Sequence, residues 1–309
     1  MPNYKFIQCD VFTDRIFAGN PLAVFPDGEG IDDATMQKIA REMNLSETVF
    51  VLPPTDPSKA LKRLRIFTPG AELPMAGHPV VGTWIVLARR GVVAPPESGN
   101  GTVRVFQELN LGILPVDIEF ERGSPVKVVM TQATPTIGEP LDEVEAASQA
   151  LNLSPEEIGD DVLPILIAST GLPYLIVPVR SRSALSRVVI NNSALTALLK
   201  RVGTDAVYIV TRDTYSPDAF VSTRMFTDES IGIGEDPATG SAAGPLAAVL
   251  THYGLAPMQD SVAHFIIEQG VDMGRPSRIE VDVEVEDKKL KSVRIGGGAV
   301  FVLKGEIEL

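Results

Sequence analysis

Pro79-Val80-Val81-Gly82-Thr83-Trp84-Ile85-Val86-Leu87-Ala88-Arg89-Arg90 carries no charge before its last two residues. Its apolar side chains fall all round a helical wheel instead of along one stripe, so the helix it predicts is buried on every side. Pro79 near the start and Gly91 just beyond the end fit the preference for proline in a first turn and glycine past a last one. A second stretch has the same character: Pro245-Leu246-Ala247-Ala248-Val249-Leu250-Thr251-His252-Tyr253, followed by Gly254. Two such helices need two sets of strands to cover them.

Short matches elsewhere support a chain that repeats itself. Gly19-Asn20-Pro21-Leu22-Ala23-Val24 resembles Gly171-Leu172-Pro173-Tyr174-Leu175-Ile176, Glu47-Thr48-Val49-Phe50-Val51 resembles Asp205-Ala206-Val207-Tyr208-Ile209, and Arg65-Ile66-Phe67-Thr68 resembles Arg224-Met225-Phe226-Thr227. The offsets, 152, 158 and 159 residues, keep one order. Three matches in register predict two copies of one unit, with a break near residues 122–140. Runs rich in Val, Ile, Phe and Tyr predict strands at 4–11, 22–24 and 48–52, and again at 164–168, 174–177 and 206–210. Apolar spacing predicts surface helices over 33–43, 184–189 and 193–201, the first capped by Asp32 or Asp33. Residues 278–285 and 293–309 are again strand-like, with Gly296-Gly297-Gly298 as a bend.

Composition excludes several classes. With 44% hydrophobic residues over 309, the chain has ample core for two domains and is not disordered. A single cysteine, Cys9, excludes a disulfide scaffold, and its apolar neighbours predict burial. The net charge of −13 argues against nucleic acid, which a basic stripe would serve. The short Lys62-Arg63-Leu64-Arg65 run alternates with apolar residues and reads as a strand edge. The N-terminus lacks a signal-peptide pattern, and no run reaches the roughly 18 apolar residues of a membrane span. A soluble protein of a reducing, cytoplasmic setting is expected, with no membrane partner.

Both apolar helices follow glycine-containing loops. The first is Pro69-Gly70-Ala71-Glu72-Leu73-Pro74-Met75-Ala76-Gly77-His78-Pro79; the second is Gly232-Ile233-Gly234-Glu235-Asp236-Pro237-Ala238-Thr239-Gly240-Ser241-Ala242. Unpaired N–H groups and the positive end of the dipole at such helix starts suit a small anion. Ordinary helix starts with glycines for tight turns fit the same residues, and both readings stand. No GxGxxG, GxxxxGK[ST] or GxSxG pattern occurs. His78, His252 and His264 lack metal-ligand spacing, so no metal is expected. His252, in a last helical turn, and His264, in a strand, read as structural. His78, in a glycine loop beside a buried helix, reads as structural or as ligand-facing. Glu47 opens an apolar strand; it is either a surface residue at a strand start or a buried general acid/base.

These residues match a known pattern. Asp10-Val11-Phe12-Thr13 through Gly19-Asn20-Pro21-Leu22-Ala23-Val24, Asn44-Leu45-Ser46-Glu47-Thr48, Gly77-His78-Pro79 with Gly82-Thr83, Gly234-Glu235-Asp236-Pro237-Ala238-Thr239-Gly240-Ser241-Ala242, and Gln269-Gly270 through Met273-Gly274-Arg275-Pro276-Ser277 resemble the phenazine-biosynthesis PhzF-like isomerase family, of the diaminopimelate-epimerase-like fold. The Glu-Asp-Pro-Ala-Thr-Gly-Ser-Ala block is the most specific of them.

The resemblance implies an α+β fold with an internal duplication: two similar domains, each a curled, barrel-like mixed sheet around its apolar helix. Residues 1–125 with 298–309 would form the first and 126–297 the second, with the active site in the cleft between them. It implies a homodimer and no cofactor. It implies Glu47 as the general acid/base, supported by His78 and Asp236, with Asn20, Gly77, Gly240 and Ser241 binding a small anionic substrate. The founding activity isomerises a 2,3-dihydro-3-hydroxyanthranilate, with one carboxyl taking a proton from carbon 3 and returning it to carbon 1. The two-thiol racemases of the same fold would need cysteines in the helix-start loops, where this chain has Gly77 and Gly240-Ser241. A one-base epimerase of amino or hydroxy acids and a non-catalytic ligand-binding protein are the alternatives.

Overall fold

The computed structural model describes residues 2–228 and 234–309, so Gly232 and Ile233 of the second loop lie outside the described residues. The fold is mixed α/β, with parallel and antiparallel strand pairs in both of two compact units, Met1–Thr131 with Gly296–Leu309 and Gln132–Ile295.

In the first unit β1 (Asn3–Val11) pairs antiparallel with β2 (Asn20–Phe25). Helix α1 (Asp33–Met43) then crosses to β3 (Glu47–Leu52), which runs parallel to β2. Asp32 caps α1 by accepting the Thr35 N–H at 3.0 Å, and Asn44 ends it in the left-handed region. The buried face of α1, Met36, Ile39 and Ala40, packs on Phe25, Phe50 and Phe67. β4 (Lys62–Phe67) is antiparallel to β3 and to the two-residue β5 (Glu72–Leu73). Helix α2 (Gly77–Arg89) follows, then β6 (Gly101–Leu109), β7 (Gly112–Glu121) and β8 (Ser124–Thr131). β6 runs parallel to β4, so the Lys62–Arg65 run lies in a strand paired on both sides, not on an edge.

Every residue of α2 from Gly77 to Ala88 is buried, as its all-round apolar sequence requires. Trp84 is wholly enclosed, and its indole N–H donates to Gln107 Oε1 at 2.7 Å. Gly82 allows the helix to lie directly on the sheet, because a Cβ there would come within 2.7 Å of Leu22 and Val11 side-chain carbons. The helix closes where Val92 N–H reaches back to the Leu87 carbonyl at 3.0 Å.

The second unit holds β9 (Thr136–Ile137), α3 (Val144–Leu151), β10 (Leu166–Ser169), β11 (Pro173–Pro178), α4 (Arg182–Arg187), α5 (Asn192–Val202), β12 (Ala206–Thr211), β13 (Val221–Thr227), β14 (Glu235–Asp236), α6 (Gly240–His252), β15 (Met258–Gln259), β16 (Val262–Gln269), β17 (Ser277–Glu286) and β18 (Lys289–Gly297). Its ladders follow the same sequence of pairings. β10–β11 is antiparallel, β11–β12 parallel, β12–β13 and β13–β14 antiparallel, and β13–β16 parallel. Helices α3, α4 and α5 share one apolar cluster with β11 and β12. The last strand, β19 (Ala299–Glu308), belongs to the first unit, antiparallel to β1 from Asn3↔Glu308 to Val11↔Ala299.

The units divide at 131/132 and 295/296, and β8 runs unbroken across residues 125/126 as a partner of β7. Helix α6 starts at Gly240, so Pro245 sits inside it instead of in its first turn. Proline has no N–H, so the Ser241 carbonyl lacks its helical donor four residues on. Among the described residues no helix is long and apolar enough to cross a membrane.

Candidate active site

In the first unit the parallel pairing of β2 and β3 sets Glu47 opposite Leu22, two residues beyond Asn20. Asn20 itself opens β2 opposite Val11. Glu47 is 7% exposed and Asn20 fully buried, so Glu47 is not a surface residue. His78 is the second residue of α2 and 4% exposed. Its Nε2 lies 3.1 Å from Glu47 Oε2. Burial pulls the imidazole down to about 3, so His78 is neutral over the physiological range despite the nearby carboxyl.

The start of α2 has no side-chain cap: its N-cap is Ala76 in an extended conformation. Gly77 and His78 supply N–H groups of the first turn, which have no helical acceptor, and Pro79 supplies none. The sequence therefore brings Asn20, Glu47, Gly77 and His78 to one part of the first unit, with a carboxyl and a neutral imidazole side by side.

In the second unit Asp236 ends β14 opposite Met225 and is 5% exposed. Thr239 is the N-cap of α6, yet its hydroxyl donates to Asp236 Oδ2 instead of capping the helix. Gly240 is buried, and the half-buried Ser241 has its hydroxyl 2.7 Å from that of Tyr174. Gln269, Tyr208 and Thr223 continue the polar network behind Asp236. In the sequence Gln269 lies in a motif with no role attached, and nothing marks out Tyr174 or Tyr208. Their partners lie tens of residues away in sequence, and no local pattern marks them.

The remaining candidates fall elsewhere. His252 ends α6, and His264 Nδ1 lies 2.7 Å from Asp282 Oδ1 on β17. Cys9 is enclosed in β1, and burial pushes its thiol well above the usual range, so it is no source of thiolate. Among the described residues no group of three or more His, Cys, Asp or Glu side chains is placed to hold a metal ion.

Comparison with known proteins places this chain in a family. The family described as phenazine biosynthesis-like protein matches residues 9–305. An uncharacterised isomerase of Mesorhizobium japonicum is 41% identical, over 99% of each chain. The trans-2,3-dihydro-3-hydroxyanthranilate isomerase of Pseudomonas fluorescens is 35% identical over the full length of both. A crystal structure of a Bacillus anthracis phenazine biosynthesis protein of the PhzF family superposes with a TM-score of 0.89, at 30% identity and full coverage of both chains.

Proposed function

Because this isomerase belongs to the phenazine biosynthesis-like family, we propose that it moves a proton on a small carboxylate-bearing substrate without a cofactor, with Glu47 as the general acid/base. The observation that carries the reading is the buried Glu47–His78 pair, 3.1 Å apart beside an uncapped helix start. A one-base proton shift needs a carboxyl that gives back the proton it takes, in a place closed to bulk water. A neutral imidazole beside it adds no charge that would pin the carboxyl in the ionised form.

The substrate class is the 2,3-dihydro-3-hydroxyanthranilate type, the reaction named for the Pseudomonas relative. Glu47 takes the proton from carbon 3, and the C–H electron pair enters the ring diene. The same carboxyl delivers the proton to carbon 1, the double bonds shift, and the enol left at carbon 3 tautomerises to a ketone. No atom or electron is gained or lost. In the first unit the N–H groups around Gly77 suit a substrate carboxylate and Asn20 a substrate polar group; in the second, Gly240 and Ser241 at the start of α6 suit a carboxylate and Asp236 a polar group. The reading also takes the two units as copies of one curled sheet around an apolar helix, which their matching ladders support, and the enzyme as a cytoplasmic homodimer.

The test is turnover of trans-2,3-dihydro-3-hydroxyanthranilate beside a panel of amino and hydroxy acids. Ring isomerisation supports the proposal. Exchange at an α-carbon with no bond shift would replace it with a one-base epimerase, and tight binding without exchange would replace it with a ligand-binding protein.

A further inference from the structure

We infer that Gln269 is a positioning residue whose buried carboxamide fixes Asp236 and the start of α6, a cap that Thr239 does not supply. This rests on the reading above that Asp236 serves the reaction.

Gln269 ends β16 and is 1% exposed. Its Nε2 donates to the Asp236 carbonyl at 2.6 Å and to Thr239 Oγ1 at 3.0 Å. Its Oε1 accepts from the Thr239 N–H at 3.2 Å and from the Tyr208 hydroxyl at 3.0 Å. Both donors and both acceptor positions are therefore used. The amide has one orientation only, because the Asp236 carbonyl can only accept and the Thr239 N–H can only donate. Thr223 Oγ1 lies 2.9 Å from the Tyr208 hydroxyl and holds it from behind. The Thr239 hydroxyl, held by Gln269, donates a hydrogen bond to Asp236 Oδ2. The carboxylate is thus fixed through both its backbone and its side chain.

The segment after Gln269 closes on the same turn. A Cβ on Gly270 would come within 2.5 Å of the Pro237 carbonyl, and Ser277 Oγ lies 2.9 Å from that oxygen.

The first unit separates what the fold needs from what the site needs. Arg63↔Glu108 and Ser222↔Glu268 occupy equivalent ladder positions, which makes Leu109 the counterpart of Gln269. Glu108 and Glu268 do the same work: each accepts a loop N–H, from Thr55 at 2.6 Å and from Tyr215 at 2.5 Å. The next residue does not. Leu109 is a buried apolar side chain, and α2 still forms behind an Ala76 N-cap. The architecture does not require a carboxamide here, whereas the Asp236 turn uses three of its four bonds and Tyr208 the fourth.

The experiment compares Gln269→Leu, Tyr208→Phe and Asp236→Ala, singly and with Gln269→Leu combined with Asp236→Ala. It reads kcat, KM, melting temperature and amide exchange across residues 236–243. Gln269→Leu is expected to lower kcat about tenfold or more with KM changed less than about threefold, and to speed exchange in that segment about tenfold. Tyr208→Phe, which removes one bond, shifts both in the same direction by less and serves if Gln269→Leu does not fold. With Asp236 already replaced, Gln269→Leu adds less than about twofold to the loss in kcat. Native protection at 236–243 in both Gln269→Leu and Tyr208→Phe, or losses that multiply in the double variant, would overturn the inference. Wild-type turnover in Asp236→Ala would instead overturn the role of Asp236. Exchange would then still decide whether Gln269 holds this turn.

Discussion

Glu47 Oε2 and His78 Nε2 lie 3.1 Å apart, on the first residue of β3 and the second of α2, and both side chains are nearly closed to solvent. Burial holds His78 neutral down to about 3, whereas the unfolded chain takes up its proton near the ordinary 6.5. Between those values the unfolded state binds more protons. Its contribution to stability is complete above 6.5 and lost as the pH falls toward 3, at up to about 1.4 kcal/mol per pH unit. His78→Asn should flatten the acid side of the stability curve between pH 6.5 and 3.5, read by urea unfolding at a series of pH values. An unchanged slope would show that His78 is not held neutral by burial.

Gly82 is set against β1 and β2 with no room for a methyl group. Gly82→Ala raises helix propensity by about 1 kcal/mol, yet overpacking should outweigh the gain and leave the protein less stable by about 1–3 kcal/mol. Thermal unfolding decides the sign.

Two guanidinium–carboxylate forks sit at matching ladder positions, Arg65 on Glu72 and Arg224 on Glu235. They differ in what remains when the glutamate is neutralised. Arg65 also pairs with Asp33, whereas Arg224 otherwise reaches the carbonyls of Leu185 and Val188 at 3.0 Å. Glu235→Gln should therefore cost about 3 kcal/mol, and Glu72→Gln about 1 kcal/mol. Equal losses in urea unfolding would contradict this difference.

Ser241 enters the proposal as a substrate-binding hydroxyl. Ser241→Ala should raise KM about tenfold with kcat within about threefold of wild type, the pattern of an interaction made equally in ground and transition states. A fall in kcat at unchanged KM would move Ser241 into the proton-transfer step.

The two apolar helices were legible because burial all round leaves a composition that no surface helix has. Glu47 and His78 stand out as polar residues next to apolar runs, but their approach to 3.1 Å depends on how the start of α2 lies against the start of β3, which no local pattern encodes. Register shifts the internal match by one residue: Thr48 pairs with Phe67 and Val207 with Phe226, which sets Glu47 at the ladder position of Ala206 and not of Asp205. The strands of residues 101–131 alternate buried with exposed residues, the period of a half-buried strand, but Pro115 and the charged side chains between the apolar ones interrupt the Val- and Ile-rich runs that mark the other strands. The inward-facing bonds of Gln269 reach residues 30, 33 and 61 positions away, which no local pattern encodes.

In the proposed reaction one carboxyl, Glu47, carries the proton. The direct measurement is proton NMR of trans-2,3-dihydro-3-hydroxyanthranilate in D2O with wild type and Glu47→Gln in parallel, circular dichroism verifying that both are folded. The wild type is expected to convert this substrate, with the carbon 3 proton lost and a proton or deuteron appearing at carbon 1. With Glu47→Gln conversion is expected to be at least about 1,000-fold slower. Turnover by Glu47→Gln at the wild-type rate would contradict that role of Glu47.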